Sequence, residues 1–311
     1  MPDPAVSLIV ASLNRVAELE RLLASLDGQA FEHFEVIIVD QNPDDRLAGT
    51  LVRHPKLNLV HLRCQPGASR ARNVGLRVAK GEIIGFPDDD CWYPENVLKV
   101  VTEWFASHPA FDGLFGVLRD QDNQLTGPKW PTSACVCTRD TLWRTGITPT
   151  AFLTRRGTDT IGWFNERIGP GVPSGYHSGE DLDYFLRGLA HGLRMWHDPE
   201  LVVRHPSFHD PARIRQKAYT YAKGGGYILR AHGYPLRLLF KMLLRSFGGA
   251  LISLLRLDWT SAWAYLLRAA GLLRGYILGP HDVGKASPQT EQHDPTAIPL
   301  SRRDSSNGLR P

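Results

Sequence analysis

The chain of 311 residues carries 36 Lys and Arg against 32 Asp and Glu, a formal charge of +4, and 42% of it is hydrophobic. That length buries one large core, or one domain with a smaller appendage, as expected of a soluble enzyme carrying an attachment. Cys64, Cys91, Cys135 and Cys137 lack metal-binding spacing, and strand character from Val6 leaves no room for a leader, so reduced thiols in a cytoplasm are expected.

Taken in chain order, Val6–Val10 is an apolar, β-branched run that ends in the polar residues Ser12, Asn14 and Arg15. Leu19, Leu22, Leu23 and Leu26 then recur at helical spacing. A second strand over 34–39 ends at Asp40, before the turn at 41–45. A third over 57–62 precedes a Gly/Ser-rich turn and the segment Ser69-Arg70-Ala71-Arg72-Asn73-Val74-Gly75. The fourth, within 82–87, runs into Asp88-Asp89-Asp90, and Pro94-Glu95 reads as the next helix start. Strand then helix, repeated with short connections, predicts a parallel α/β sheet. Such sheets bind ligands beyond the carboxyl ends of their strands, where Asn14, Asp40 and the acidic triplet all fall.

Adjacent carboxylates raise one another's pKa unless cations or hydrogen-bond donors compensate. A divalent metal holding a diphosphate is one such compensator, with oxygen ligands suited to Mg²⁺ or Mn²⁺. A solvated acidic turn capping a helix is the plainer alternative. Arg72 has the fork geometry to pair with a diphosphate or to orient the acidic cluster, and is otherwise a surface arginine. Further on, Glu180-Asp181 opens a helical stretch closed by Gly192. His205 follows the strand-like 201–204, with His197 and His209 as weaker competitors for a metal. Trp92, Trp130 and Trp163 are candidates for sugar stacking or for core and cleft walls.

Over about residues 5–210 these motifs, in this order, resemble the family 2 glycosyltransferases. The points of resemblance are the opening strand with its Asn-Arg turn, Val39-Asp40, Ala71-Arg72-Asn73-Val74-Gly75, the Asp-x-Asp element at Asp88–Asp90, Gly179-Glu180-Asp181 and His205. Ala11 stands where the family more often has proline. The resemblance implies a GT-A nucleotide-sugar-binding fold with a mostly parallel central sheet. It implies a nucleotide-diphosphate-sugar donor among Ser12, Asn14, Asp40, Arg72, Asn73, Asp88 and Asp89, with Asp40 at the nucleobase and Asp89 at the ribose. A divalent metal, Mn²⁺ or Mg²⁺, is expected at Asp88, Asp90 and His205. Asp181 is then the general base and Glu180 an acceptor contact, with inversion at the anomeric carbon. N-terminal helix capping is the alternative role for Glu180 and Asp183.

The last third differs in charge. Between 211 and 281 eleven Lys and Arg face the single acid Asp258, which leaves the remainder of the chain net acidic. Arg237, Lys241, Arg245 and Arg256 fall within roughly one third of a helix circumference, among many leucines. The uncharged run 246–255 is shorter than the roughly 20 residues of a spanning helix. A basic amphipathic hairpin over 211–279, lying on an anionic membrane surface, is therefore expected, with Lys223-Gly224-Gly225-Gly226 as a hinge into it. Packing on the catalytic domain or a homodimer interface are the alternatives. No nucleic-acid module is apparent, and 280–311 is expected to be a disordered tail.

These readings converge on a catalytic domain over 1–210 that moves a sugar to a glycan or lipid-linked acceptor at the cytoplasmic membrane face. Two rival readings are a catalytically silent adaptor and a sugar-phosphate nucleotidyltransferase. The second usually opens on a Gly-rich phosphate loop, and 6–15 contains no glycine.

Overall fold

The computed structural model describes residues 3–207 and 211–280. Its first half alternates strand and helix: β1 (Val6–Ser12), α1 (Val16–Asp27), β2 (Phe34–Asp40), α2 (Ala48–Leu51), β3 (Leu59–Arg63), α3 (Ala68–Val78), β4 (Ile83–Gly85) and α4 (Val97–Ser107). β5 (Gly113–Arg119), β6 (Leu125–Thr126), β7 (Cys135–Val136), α5 (Arg139–Thr145), β8 (Ala151–Thr154) and α6 (Arg155–Ile161) follow. The chain continues through α7 (Glu180–Ala190), β9 (Met195–Arg204), α8 (Pro211–Ala231), α9 (Leu236–Leu255) and α10 (Trp259–Leu278).

One sheet runs β3-β2-β1-β4-β8-β5-β9-β7, with β6 on β5. The first four strands are parallel, as the repeated strand–helix pattern predicts. Beyond β4 the sheet is mixed: β8 runs antiparallel to both β4 and β5, while β5 and β9 are parallel. β1 and β2 are buried on both faces, which is why they read as continuous apolar runs rather than alternating ones. Leu19, Leu22, Leu23 and Leu26 of α1 pack into the core formed with Val10, Ile38 and Phe152. The parallel register sets Ser12 opposite Asp40, so β1 and β2 end together at one rim.

The expected hinge at 223–226 is not a hinge. α8 runs through it unbroken, with Gly224 close against Ser178 and Gly226 close against α10. A Cβ on Gly226 would lie 2.7 Å from the Tyr276 backbone nitrogen, and one on Gly275 would lie 3.0 Å from that of Tyr227. Helix α8 also shares a core with the sheet half, through Tyr227, Ile228 and Leu229 beside Ile168 and Phe185. Leu236–Leu255 is long and apolar enough, by length and composition, to cross a membrane, and five of its 20 residues are buried in the protein. The expectation drawn from 246–255 alone missed this, because the basic first half of the helix is also rich in leucine. The expected disorder of the tail falls, from 281 onward, outside the described residues.

Candidate active site at the strand ends

β4 delivers the chain to Pro87 and the triplet turns there, with the Cys91 amide donating to the Asp88 carbonyl at 3.0 Å. Arg15, one turn after β1, answers two of the three carboxylates. Its Nη1 lies 3.0 Å from Asp89 Oδ1 and also bonds Asp90 Oδ2. Arg21 adds a 2.8 Å hydrogen bond to the Asp90 carbonyl. On the other side, His205 Nε2 lies 3.2 Å from Asp90 Oδ1, and its Nδ1 is 2.6 Å from the Pro206 carbonyl. Backbone bonds between Trp92 and Arg204 staple the end of β9 to the triplet loop, which places His205 there.

These surroundings drive the three acids apart. Burial, and then the neighbouring Asp90 and Asp88, push Asp89 up to about 7 in spite of Arg15. Burial acts on Asp90 in the same sense, but His205 and Arg15 outweigh it and hold this carboxyl below the usual carboxylate range. Asp88 is raised by burial, opposed by Arg72. Its side chain keeps 37% of its surface open, so it forms part of the cleft floor. Desolvation lowers His205, but Asp90 wins and raises it.

Arg72, buried on α3, joins this group to a second one. Nη2 reaches Asp88 Oδ1 at 3.3 Å and Thr148 Oγ1 at 2.9 Å. Nη1 reaches Glu180 Oε1 and Asp181 Oδ1, both at 3.3 Å. Gly179, at φ 97°, turns the chain so that α7 starts with both acids pointing at the arginine. Asp181 Oδ2 accepts from the Thr148 amide at 3.2 Å, and the side chain keeps 21% of its surface open. Glu180 is buried, and desolvation with the adjacent Asp181 pushes it upward against Arg72. Asp183 faces away from the cleft and pairs with Arg187 at 3.1 Å and His232 at 2.9 Å.

Three of the expected nucleotide contacts have protein partners in this structure. Asp40 is fully buried; its oxygens accept from the Asn42 amide at 2.8 Å and from His61 at 3.1 Å. In this arrangement its carboxylate closes the turn that follows β2, the alternative weighed for such a residue. Asn73 gives its amide to the Phe164 carbonyl and Glu166, at 3.0 and 2.9 Å, and its oxygen accepts from the Phe164 amide. Those bonds tie down the 164–166 loop. Asn14 is exposed at φ 62°, with its side-chain oxygen accepting from Arg46 at 2.5 Å. Ser12 is buried beside Asp89. His197 and Trp130 stack on each other in the interior, away from the triplet, and His209 lies outside the described residues.

Arg15 and Thr148 are the partners that sequence reasoning missed. For Arg15 a signal existed, since it follows Asn14 directly at the rim where the triplet also lies. Thr148 carries none: it reaches the cleft through a short 3₁₀ turn that has no motif.

The donor set bears on whether a divalent cation fits. Ligand atoms of Asp90, Cys91 and His205 lie within 4.8 Å of one another. Burial raises the Cys91 thiol well above its usual range, which keeps it protonated and a poor ligand. A carboxylate and an imidazole beside two further carboxylates are donors of the kind that Mn²⁺ accepts, and in this structure Arg15 and His205 supply the positive charge at Asp90.

Comparison with known proteins gives the same assignment. The model of the family described as Glycosyl transferase family 2 matches residues 7–162, half of the chain. An uncharacterized glycosyltransferase of Haemophilus influenzae is 40% identical over 113 residues, 34% of this chain and 38% of that protein. The match thus spans well under two thirds of that relative's length. Among solved structures, S. aureus TarS 1-349 in complex with UDP-GlcNAc superposes with a TM-score of 0.57 at 21% identity, covering 88% of this chain and 73% of that one. The mannosyltransferase PcManGT from Pyrobaculum calidifontis, in complex with GDP-Man and Mn²⁺, gives 0.55 at 20% identity, covering 89% and 76%. At such identities the likeness is one of fold, and it covers more of the chain than the family model does. The chain belongs to glycosyl transferase family 2.

Proposed function

We propose that this chain transfers a sugar, with inversion, from a nucleotide-diphosphate sugar to a hydroxyl of a lipid-linked or polymeric glycan. The observation that carries the reading is Arg72, whose guanidinium holds Asp88 on one side and Glu180 with Asp181 on the other. The carboxylates suited to a donor and those suited to an acceptor thus meet at one cleft. Asp181 takes the proton of the acceptor hydroxyl as that oxygen bonds to the anomeric carbon, and the bond from that carbon to the diphosphate oxygen breaks. The Thr148 amide and Arg72 hold Asp181 in place for this step. Glu180 contacts the acceptor, and Asp89 is the ribose contact. Asp90 and His205, with Asp88 directly or through water, would hold a divalent metal, whose chemistry there is neutralisation of the leaving diphosphate. The two complexes with UDP-GlcNAc and with GDP-Man and Mn²⁺ support the donor class and the metal. A location at the cytoplasmic membrane face, through the basic helices beyond 210, suits a lipid-linked acceptor.

The test is calorimetry of a nucleotide-sugar panel with Mn²⁺, on wild type, Asp90→Ala and Asp181→Ala. Binding that Asp90→Ala weakens about 100-fold, the effect of losing roughly 3 kcal/mol of charged contact, and that Asp181→Ala retains, supports these roles. Folded protein that binds no donor favours the silent adaptor.

A further inference from the structure

Helix α9 is built the wrong way round for a helix facing water. With successive residues about 100° apart, Leu239, Leu243, Ser246, Ala250 and Ser253 form one buried sector about 80° wide. Three of those five are small or hydroxylic. The adjoining sector, about 100° wide on the same count, holds Leu236, Phe240, Leu244, Phe247, Leu251 and Leu255, every one exposed and Leu244 and Leu255 by 71% and 77%. Next to that comes an edge formed by Arg237, Lys241, Arg245 and Arg256, also exposed. Helix α10 repeats the pattern with Trp259, Trp263, Leu266, Leu273 and Ile277 in an exposed stripe about 80° wide, its small residues Ala262, Ala269, Gly271 and Gly275 turned inward. The one acid of the region, Asp258, caps α10 by accepting from the Ser261 amide at 3.0 Å.

From this geometry we infer that the outer faces of α9 and α10 form a docking surface for an anionic lipid bilayer, lying in its interface rather than crossing it. The inference rests on the peripheral location proposed above and assigns the face responsible. Charge decides the occupant. A second copy would bring the same basic edge against itself, whereas an anionic headgroup layer complements it. The sector order decides the orientation. With the leucines and phenylalanines in the acyl boundary, Arg237, Lys241 and Arg245 lie at the flank, where their stems reach phosphates. A spanning arrangement would instead carry Lys241 and Arg245 into the hydrocarbon. Trp259 and Trp263 suit the headgroup level. The segment that leads into α9 is anchored to the sheet half: His232 bonds the buried Asp183 of α7 at 2.9 Å.

The experiment is flotation of the full chain with vesicles of phosphatidylcholine, with and without phosphatidylglycerol, free of donor and metal. Variants are Lys241→Gln/Arg245→Gln on the basic edge and Leu244→Ser/Trp263→Ser on the apolar faces. Binding to the anionic vesicles that falls about 25-fold with the first pair, at about fivefold per basic residue, and is lost with the second, is expected. Alkaline carbonate should release the bound protein. Binding indifferent to phosphatidylglycerol, resistance to carbonate, or a concentration-dependent dimer that ignores vesicles would each overturn the inference. Mn²⁺-dependent donor binding, measured without vesicles, confirms that each variant is folded and separates this failure from that of the transferase reading.

Discussion

In the cleft, Arg15, Arg72 and His205 are packed among five carboxylates of 88–90 and 180–181, with Arg72, His205, Asp89 and Glu180 buried. On α9 the arrangement is opposite: Ser246 and Ser253 are buried while Leu244, Leu251 and Leu255 face outward. Folding by itself favours neither, since buried charge loses hydration and exposed leucine keeps its unfavourable contact with water. The cleft resolves the conflict internally, by giving acids cationic partners within 3.3 Å, apart from any ligand. Among the described residues, the exposed face of α9 has no such internal remedy. A region whose frustration is answered inside the protein is structurally sensitive to mutation; one answered from outside should be tolerant in stability and sensitive in localisation.

The sharpest way to break this contrast is Arg72→Gln. It leaves Asp88, Glu180 and Asp181 without their shared cation and should lower stability by about 3–5 kcal/mol, as loss of one partner in a buried ion pair does. Urea unfolding measures it; a change below about 0.5 kcal/mol would mean the cluster is effectively solvated. Asp183→Asn comes next, at about 3 kcal/mol near neutral pH, because Asp183 is wholly buried between Arg187 and His232. Burial pushes this carboxyl upward, but His232 and Arg187 prevail and hold it below its ordinary value. A depressed acid stabilises the fold above its unfolded pKa and loses that stabilisation as pH falls through the folded one. The variant should therefore show a shallower loss of stability with acid below the usual carboxylate range, read from unfolding midpoints as a function of pH.

Gly275→Ala should cost about 1–3 kcal/mol, since the added methyl meets the backbone of Lys223 and Tyr227 and forces α10 off α8. Thermal unfolding reports it, and a neutral result would show that the two helices can separate freely. The smallest effect is expected of Leu244→Ser, within about 0.5 kcal/mol, whereas Leu243→Ala one position earlier should cost about 2–5 kcal/mol. Equal losses at the two positions would mean that the outer face of α9 is covered by the protein itself.

Much of this arrangement was legible from the chain alone. The parallel first four strands and the rim position of the triplet follow from local pattern: β-branched runs, their polar ends, and short helical connections. Antiparallel β8 between β4 and β5 left no such mark, because a four-residue strand reads like any short apolar segment. For Arg72, charge and geometry admitted both diphosphate and carboxylate partners; the approach of α7 across more than a hundred residues of sequence, which brings Glu180 and Asp181 to it, left no local mark. The glycines at 224–226 misled for a related reason. Within one helix they signal flexibility, and their use appears only when Ser178 arrives against Gly224 and the 272–276 stretch of α10 against Gly226. Asp40 and Asn73 carry family-like positions, yet their hydrogen bonds go to His61, Asn42, Phe164 and Glu166, partners that no single-sequence pattern singles out.

Arg72 divides one positive charge between Asp88 and the pair at the start of α7. Any cation that satisfies Asp88 leaves more of that charge to Glu180 and Asp181, and any hydroxyl that engages Asp181 alters what Arg72 offers to Asp88. Occupancy of the two halves of the cleft is therefore thermodynamically linked, by the same free energy in both directions. A single side chain thereby couples the affinities of the cleft's two halves.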